Sequence, residues 1–188
     1  MSIVGLTLIY QSLYHRRISF PTFLVKFSTP VVLGLLSLSL FAGCAGESSQ
    51  LKEVHSYLDQ VKPIGESLNK EGEAFTQAMQ AEGAPDQVAL GSIHGSLQTS
   101  LDTLGGVTVT DPALKSAHEH LLTGIKELQS GVDQLVLVLK DPASAPADFE
   151  TQMDAKMAGA GKEIDLWKEA IAALLPEAER ADFLKDVE

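Results

Sequence analysis

From Leu51 onward the apolar side chains recur at helical spacing. Leu51, Val54, Leu58, Val61, Leu68, Phe75 and Met79 alternate steps of three and four, with Gly65 and Gly72 at the intervening positions. This predicts one apolar face on a helix from about Ser49 to Glu82. Pro63 falls inside it and is expected to kink or split it, because proline lacks the amide hydrogen and crowds the preceding turn. Gly83, Ala84 and Pro85 end the helix. Leu90, Ile93, Leu97, Leu101 and Leu104 predict a shorter second helix closed by Gly105 and Gly106.

Asp111-Pro112 is a helix-start signal, since aspartate accepts from free amides and proline suits the first helical position. The helix that follows carries Leu114, His118, Leu121, Ile125, Leu128, Val132, Leu135 and Leu139 on an unbroken stripe, and Asp141-Pro142 stops it. The last long helix opens near Pro146, with Phe149, Met153, Met157, Ala160, Ile164, Trp167, Ile171 and Leu174 inward. Pro176 begins a short tail helix with Ala178, Phe183 and Leu184. Val107–Thr110 has an extended look, but four residues do not make a sheet. Four amphipathic helices joined by short loops predict an all-α fold, an antiparallel four-helix bundle with a short C-terminal helix.

The N-terminal part reads differently. Residues 31–43, VVLGLLSLSLFAG, are uncharged and too short to span a bilayer, which needs about 20 apolar residues; they suit the apolar region of a signal peptide. Residues 1–43 carry Arg16, Arg17 and Lys26 and no acid, a charge of +3, whereas residues 45–188 hold all 25 acids against 11 bases, a charge of -14. The acidity argues against nucleic acid as a partner, since phosphate neutralisation needs clustered Lys or Arg, and against a bundle lying flat on an anionic membrane. Cys44 is the single cysteine, so no intrachain disulfide forms.

Leu40-Phe41-Ala42-Gly43-Cys44 resembles the lipobox of bacterial lipoproteins, with Phe41 where leucine is commoner. The resemblance implies removal of residues 1–43 as a signal peptide and lipidation of the Cys44 sulfur, with acylation (palmitate) of its freed amine. Residues 44–50 would then be the lipidated cysteine and tether, and 51–188 the bundle. One acyl chain binds a membrane reversibly, whereas two or three hold firmly. Residues 1–24 make the region before the apolar run unusually long, and a start near Leu24 or Val25 gives a signal of normal proportions. Ala45 in place of aspartate implies the outer membrane of a two-membrane cell, or the outer leaflet in a one-membrane cell. The mature part loosely resembles small helical lipoproteins of unknown function, through a helix opening at Pro112 with His118 soon after, and that likeness supplies no activity.

Of the candidate chemistry, His118 stands out as a polar side chain on an aliphatic stripe. One reading makes it a metal or haem ligand with Met79, Met153 or Met157; the other is a boundary histidine with one ring nitrogen bonded and the other wet. His118 and His120 point about 200° apart and do not chelate one ion together. His55 and His94 read as isolated and solvated or half-buried. No Glu stands three residues before His55, His94, His118 or His120, so the ExxH pairs of a di-iron bundle are absent. No CxxCH haem attachment, calcium loop, phosphate loop or GxSxG elbow occurs. Glu66, Glu71, Glu73, Asp148, Glu150 and Asp154 read as solvated faces. Gly65, Gly72, Gly124, Gly131, Gly159 and Gly161 each cost about 1 kcal/mol relative to alanine inside a helix, which points to close helix approach or a bend. Trp167 reads as core. The expectation is a non-catalytic, lipid-anchored module on the extracytoplasmic side that binds or scaffolds an envelope protein, without a cofactor; the alternative is a bundle that binds a small ligand, metal or haem.

Overall fold

The computed structural model describes residues 48–80, 87–141, 143 and 145–186. Within them lie five helices: α1 Ser49–Gln80, α2 Gln87–Gly105, α3 Pro112–Lys140, α4 Phe149–Leu174 and α5 Glu177–Asp186. Among the described residues there is no strand, and no helix is long and apolar enough to cross a membrane. The fold is the all-α bundle that the stripes predict, with consecutive helices packed side by side and α3 against α4 the most extensive pairing. Residues 1–47, including the apolar run and Cys44, lie outside the described residues.

The starts of α1 and α3 follow from local chemistry. The Ser48 hydroxyl accepts from the Leu51 amide at 3.2 Å and its carbonyl from the Lys52 amide at 3.1 Å, which caps α1. Asp111 caps α3 by accepting from the Ala113 and Leu114 amides, both at 2.9 Å, with Pro112 in the first turn. The α4 start departs from expectation. Residues 145–148 form a turn rather than helix, Phe149 donates back to the Pro146 carbonyl at 3.1 Å, and the Asp148 side chain makes no cap bond.

Pro63 does not split α1, which runs through it as one helix. The missing amide leaves the Asp59 carbonyl without its usual donor, and packing on both sides holds the helical path: Val61 and Ile64 are both buried. The core follows the predicted stripes, with Val54, Leu58, Val61, Ile93, Leu97, Leu104, Leu114, Leu121, Ile125, Val132, Leu135, Met153, Ala160, Ile164, Trp167 and Ile171 all buried. Tyr57 and Ile64 join it from α1, one position beside the predicted stripe. From α5, Phe183 packs edge-on against Trp167 with ring centroids 6.1 Å apart, while Leu184 is exposed.

The helical glycines divide into two kinds. A Cβ on Gly124 would stand 2.9 Å from Ile164 Cγ1 and 3.2 Å from the Ala160 carbonyl, so the residue permits close approach of α3 and α4. At Gly131 a Cβ would meet Met157 Cε at 2.5 Å. Gly159 and Gly161 have nothing within 4 Å of a Cβ, so helix approach does not explain them.

Candidate functional site

Where α1, α3 and α4 meet near the start of α1, three side chains of mixed character pack together. Tyr57 from α1 is 2% exposed, His118 from α3 is 7% exposed and Trp167 from α4 is fully buried. The Trp167 indole N–H donates to the Tyr57 hydroxyl at 3.2 Å, and the Tyr57 and His118 rings meet edge to face with centroids 5.7 Å apart. Burial pushes the Tyr57 phenol well above its ordinary range, opposed by the bond from Trp167. Burial also lowers the His118 pKa, because imidazolium loses its hydration there; the Glu119 charge opposes the shift. His118 Nδ1 is buried and has no hydrogen-bond partner. It is therefore neither bonded nor wet, which departs from the expectation of a boundary histidine.

The methionines weighed as co-ligands are elsewhere. Both Met153 and Met157 approach α3 at Gly131, thirteen residues beyond His118 and so about 20 Å along the helix axis. They do not share an ion with His118. The Met79 side chain is outside the described residues. Among the described residues, no group of three His, Cys, Asp or Glu side chains is arranged to hold a metal ion.

The other histidines among the described residues are not isolated. His55 on α1 contacts Glu179 on α5 at 2.8 Å, His94 on α2 contacts Asp133 on α3 at 2.7 Å, and His120 on α3 contacts Glu163 on α4 at 2.7 Å. Each links a different pair of helices. Sequence spacing carries no signal of these pairs, whose members stand 124, 39 and 43 residues apart. Of the acidic positions, Glu66, Glu73, Asp148, Glu150 and Asp154 are exposed, and Glu71 accepts from Ser92 of α2 at 2.6 Å.

No known protein family, curated protein or solved structure matches the chain.

At the N-terminal end of the bundle a polar clasp fixes α1 to the α2–α3 connection. The Glu53 carboxylate accepts from the backbone amide of Thr110, from its hydroxyl at 2.7 Å and from the Asp111 amide at 3.1 Å. Those donors hold the Glu53 carboxyl below the usual carboxylate range. Gln50 adds a bond from its side-chain amide to Asp111 at 2.9 Å. Glu53 went unnoticed in the sequence because its partners lie 57 and 58 residues away.

Proposed function

We propose that this protein is a lipid-anchored helical module of the bacterial cell envelope, non-catalytic, which binds or scaffolds another envelope protein from the extracytoplasmic side. The observation that carries the reading is the placement of Cys44: it ends an uncharged apolar run with small residues before it, and it stands four residues ahead of the Ser48 cap of α1. Acyl chains on its sulfur and amine supply the membrane attachment that none of the described helices supplies by crossing. The outer membrane is the location that Ala45 favours in a two-membrane cell. Binding in place of catalysis is supported by the use to which the polar side chains are put: His55, His94, His120, Glu53 and Asp111 all bond to other parts of the bundle.

Fractionation of cells expressing wild type and Cys44→Ser tests the anchor. Wild type is expected in membranes, with an N-terminal peptide whose mass includes the lipid, and the serine variant in the soluble fraction or retained as precursor. Membrane retention of a processed serine variant, or a wild-type peptide without lipid, overturns the reading. In-membrane crosslinking then identifies the partner.

One observation favours a second reading, a small-ligand, metal or haem site: the buried, unpartnered Nδ1 of His118. Such a ligand would be met by His118 and Tyr57, not by Met153 or Met157. Metal content or visible absorbance of the purified protein that disappears in His118→Ala supports it, and their absence from wild type leaves the first reading.

A further inference from the structure

We propose that the bundle holds a binding site for a soft monovalent metal ion, Cu(I) or Ag(I), between the thioether sulfurs of Met153 and Met157 on α4 and the side-chain oxygen of Asn69 on α1. Histidine, cysteine and carboxylate take no part, so the site stands apart from His118 and goes beyond the reading of the protein as an anchored module. The first observation is at Gly131 of α3. The methyl ends of Met157 and Met153 come within 2.5 and 3.6 Å of the place that a Cβ there would take. Methionines four residues apart share one helix face, and here both side chains converge on one point. Met153 is buried and Met157 is partly buried, which leaves an ion a way in beside the second sulfur.

The second observation is Asn69. It is 5% exposed, and neither polar atom of its side chain has a hydrogen-bond partner. A buried amide left this way costs about 1–3 kcal/mol, so the position calls for an occupant. Contacts between helices place it in one layer with the two methionines. α1 and α3 run together, as Gln50 with Asp111 and Tyr57 with His118 show, and α4 runs against them, as Gly124 with Ala160 and Gly131 with Met157 show. Heights follow at about 1.5 Å per residue from the layer of Tyr57, His118 and Trp167. Asn69 stands about 18 Å along α1, Gly131 about 20 Å along α3, and Met157 and Met153 about 15 and 21 Å along α4.

Direction agrees with height. Asn69 lies about 40° around α1 from His55, which reaches α5 beyond the end of α4, and about 160° from Glu71, which bonds to α2. Its side of α1 is therefore turned away from α2 and toward α4. Met157 lies about 100° around α4 from Lys156 and about 120° from Glu163, which bond to Ser130 and His120 on one flank of α3. The Met157 side of α4 is the other flank, turned to α1. Thioethers are uncharged, soft donors that prefer Cu(I) and Ag(I) to Zn2+, Mg2+ or Ca2+. An ion between the two sulfurs also gives the Asn69 oxygen the partner it lacks.

Titration of the purified chain with silver nitrate in chloride-free buffer tests the site, read by the 13C-methyl resonances of its methionines. Cys44→Ser is the background, because it removes the one thiol, which binds the same ions. The Met153 and Met157 resonances are expected to shift together and to saturate at a single equivalent. Cu(I) supplied without oxygen does the same, and Zn2+ leaves both in place. Met153→Leu with Met157→Leu, which keeps the core volume, abolishes binding, and His118→Ala leaves it unchanged. Asn69→Leu and Gly131→Ala, the latter by displacing the Met157 methyl group, each weaken binding on the order of tenfold. Fluorescence of Trp167, the one tryptophan, reports that each variant is folded. Resonances that stay in place overturn the proposal, as does an equal response to Zn2+, or binding that survives the double leucine variant or is untouched by Asn69→Leu and Gly131→Ala. None of these outcomes bears on the lipid at Cys44.

Discussion

At residue scale the two glycines on α3 show that space around a backbone position, not the residue type, decides what a substitution does. A methyl group at position 124 would press on the Ala160 carbonyl, which is backbone and cannot swing away, and on Ile164. At position 131 it would meet the end of the Met157 side chain, which is flexible and can be re-routed. Gly124→Ala is therefore expected to destabilise by about 1–3 kcal/mol. Gly131→Ala should change stability by less than about 1 kcal/mol, since the gain in helix propensity offsets the displaced thioether. Urea midpoints of the two variants check the contrast. His118 makes a second prediction. Its folded pKa lies below the unfolded value near 6.5, so the unfolded chain binds the extra proton and stability falls as the pH drops below about 6.5. Above that value the neutral ring imposes no such penalty. His118→Phe is expected to flatten the pH dependence of the urea midpoint between pH 7 and the acid limb, and an unchanged profile would assign the dependence to other groups.

Among the elements, α5 is short and poorly amphipathic, yet it is held by more than Phe183. Arg180 donates from Nε to the Ala172 carbonyl at 2.7 Å and from Nη2 to the Leu175 carbonyl at 3.3 Å, which satisfies acceptors at the end of α4 with a positive charge where the helix dipole favours one. Arg180→Ala is expected to cost about 1–2 kcal/mol and to raise proteolytic cleavage after Leu175, read by limited digestion. The elements differ in how far their sequence foretold them. Asp111-Pro112 and the unbroken stripe after it mark α3 because cap chemistry and periodicity are local. Pro63 misled in the same local way: the rule for an isolated helix is outweighed here by Val61 and Ile64 in the core, which periodicity does not weigh. The start of α4 slipped to Phe149 because Pro146 is compatible with both a turn and a first helical position. Partner choice was illegible throughout. His94 with Asp133, or Glu53 with Thr110, depends on the relative register of helices that no spacing within one helix reports. For the same reason His118 was visible as a polar break in its stripe, while Tyr57 and Trp167 as its company were not.

The whole molecule combines a firmly tied end with a loosely composed one. The clasp at Glu53, the Tyr57–Trp167 bond and the α5 contacts gather near Ser48, and the Gly- and Ser-rich half of α2 with the unpaired Asn69 lies at the other end. The clasp has a consequence for geography. Three residues separate Cys44 from Ser48, four residue steps that span at most about 14 Å, and α1 with its 32 residues adds a length of about 48 Å. If Cys44 carries the lipid proposed above, the bundle would sweep a shell about 60 Å deep beside the bilayer, and a companion would have to enter that shell.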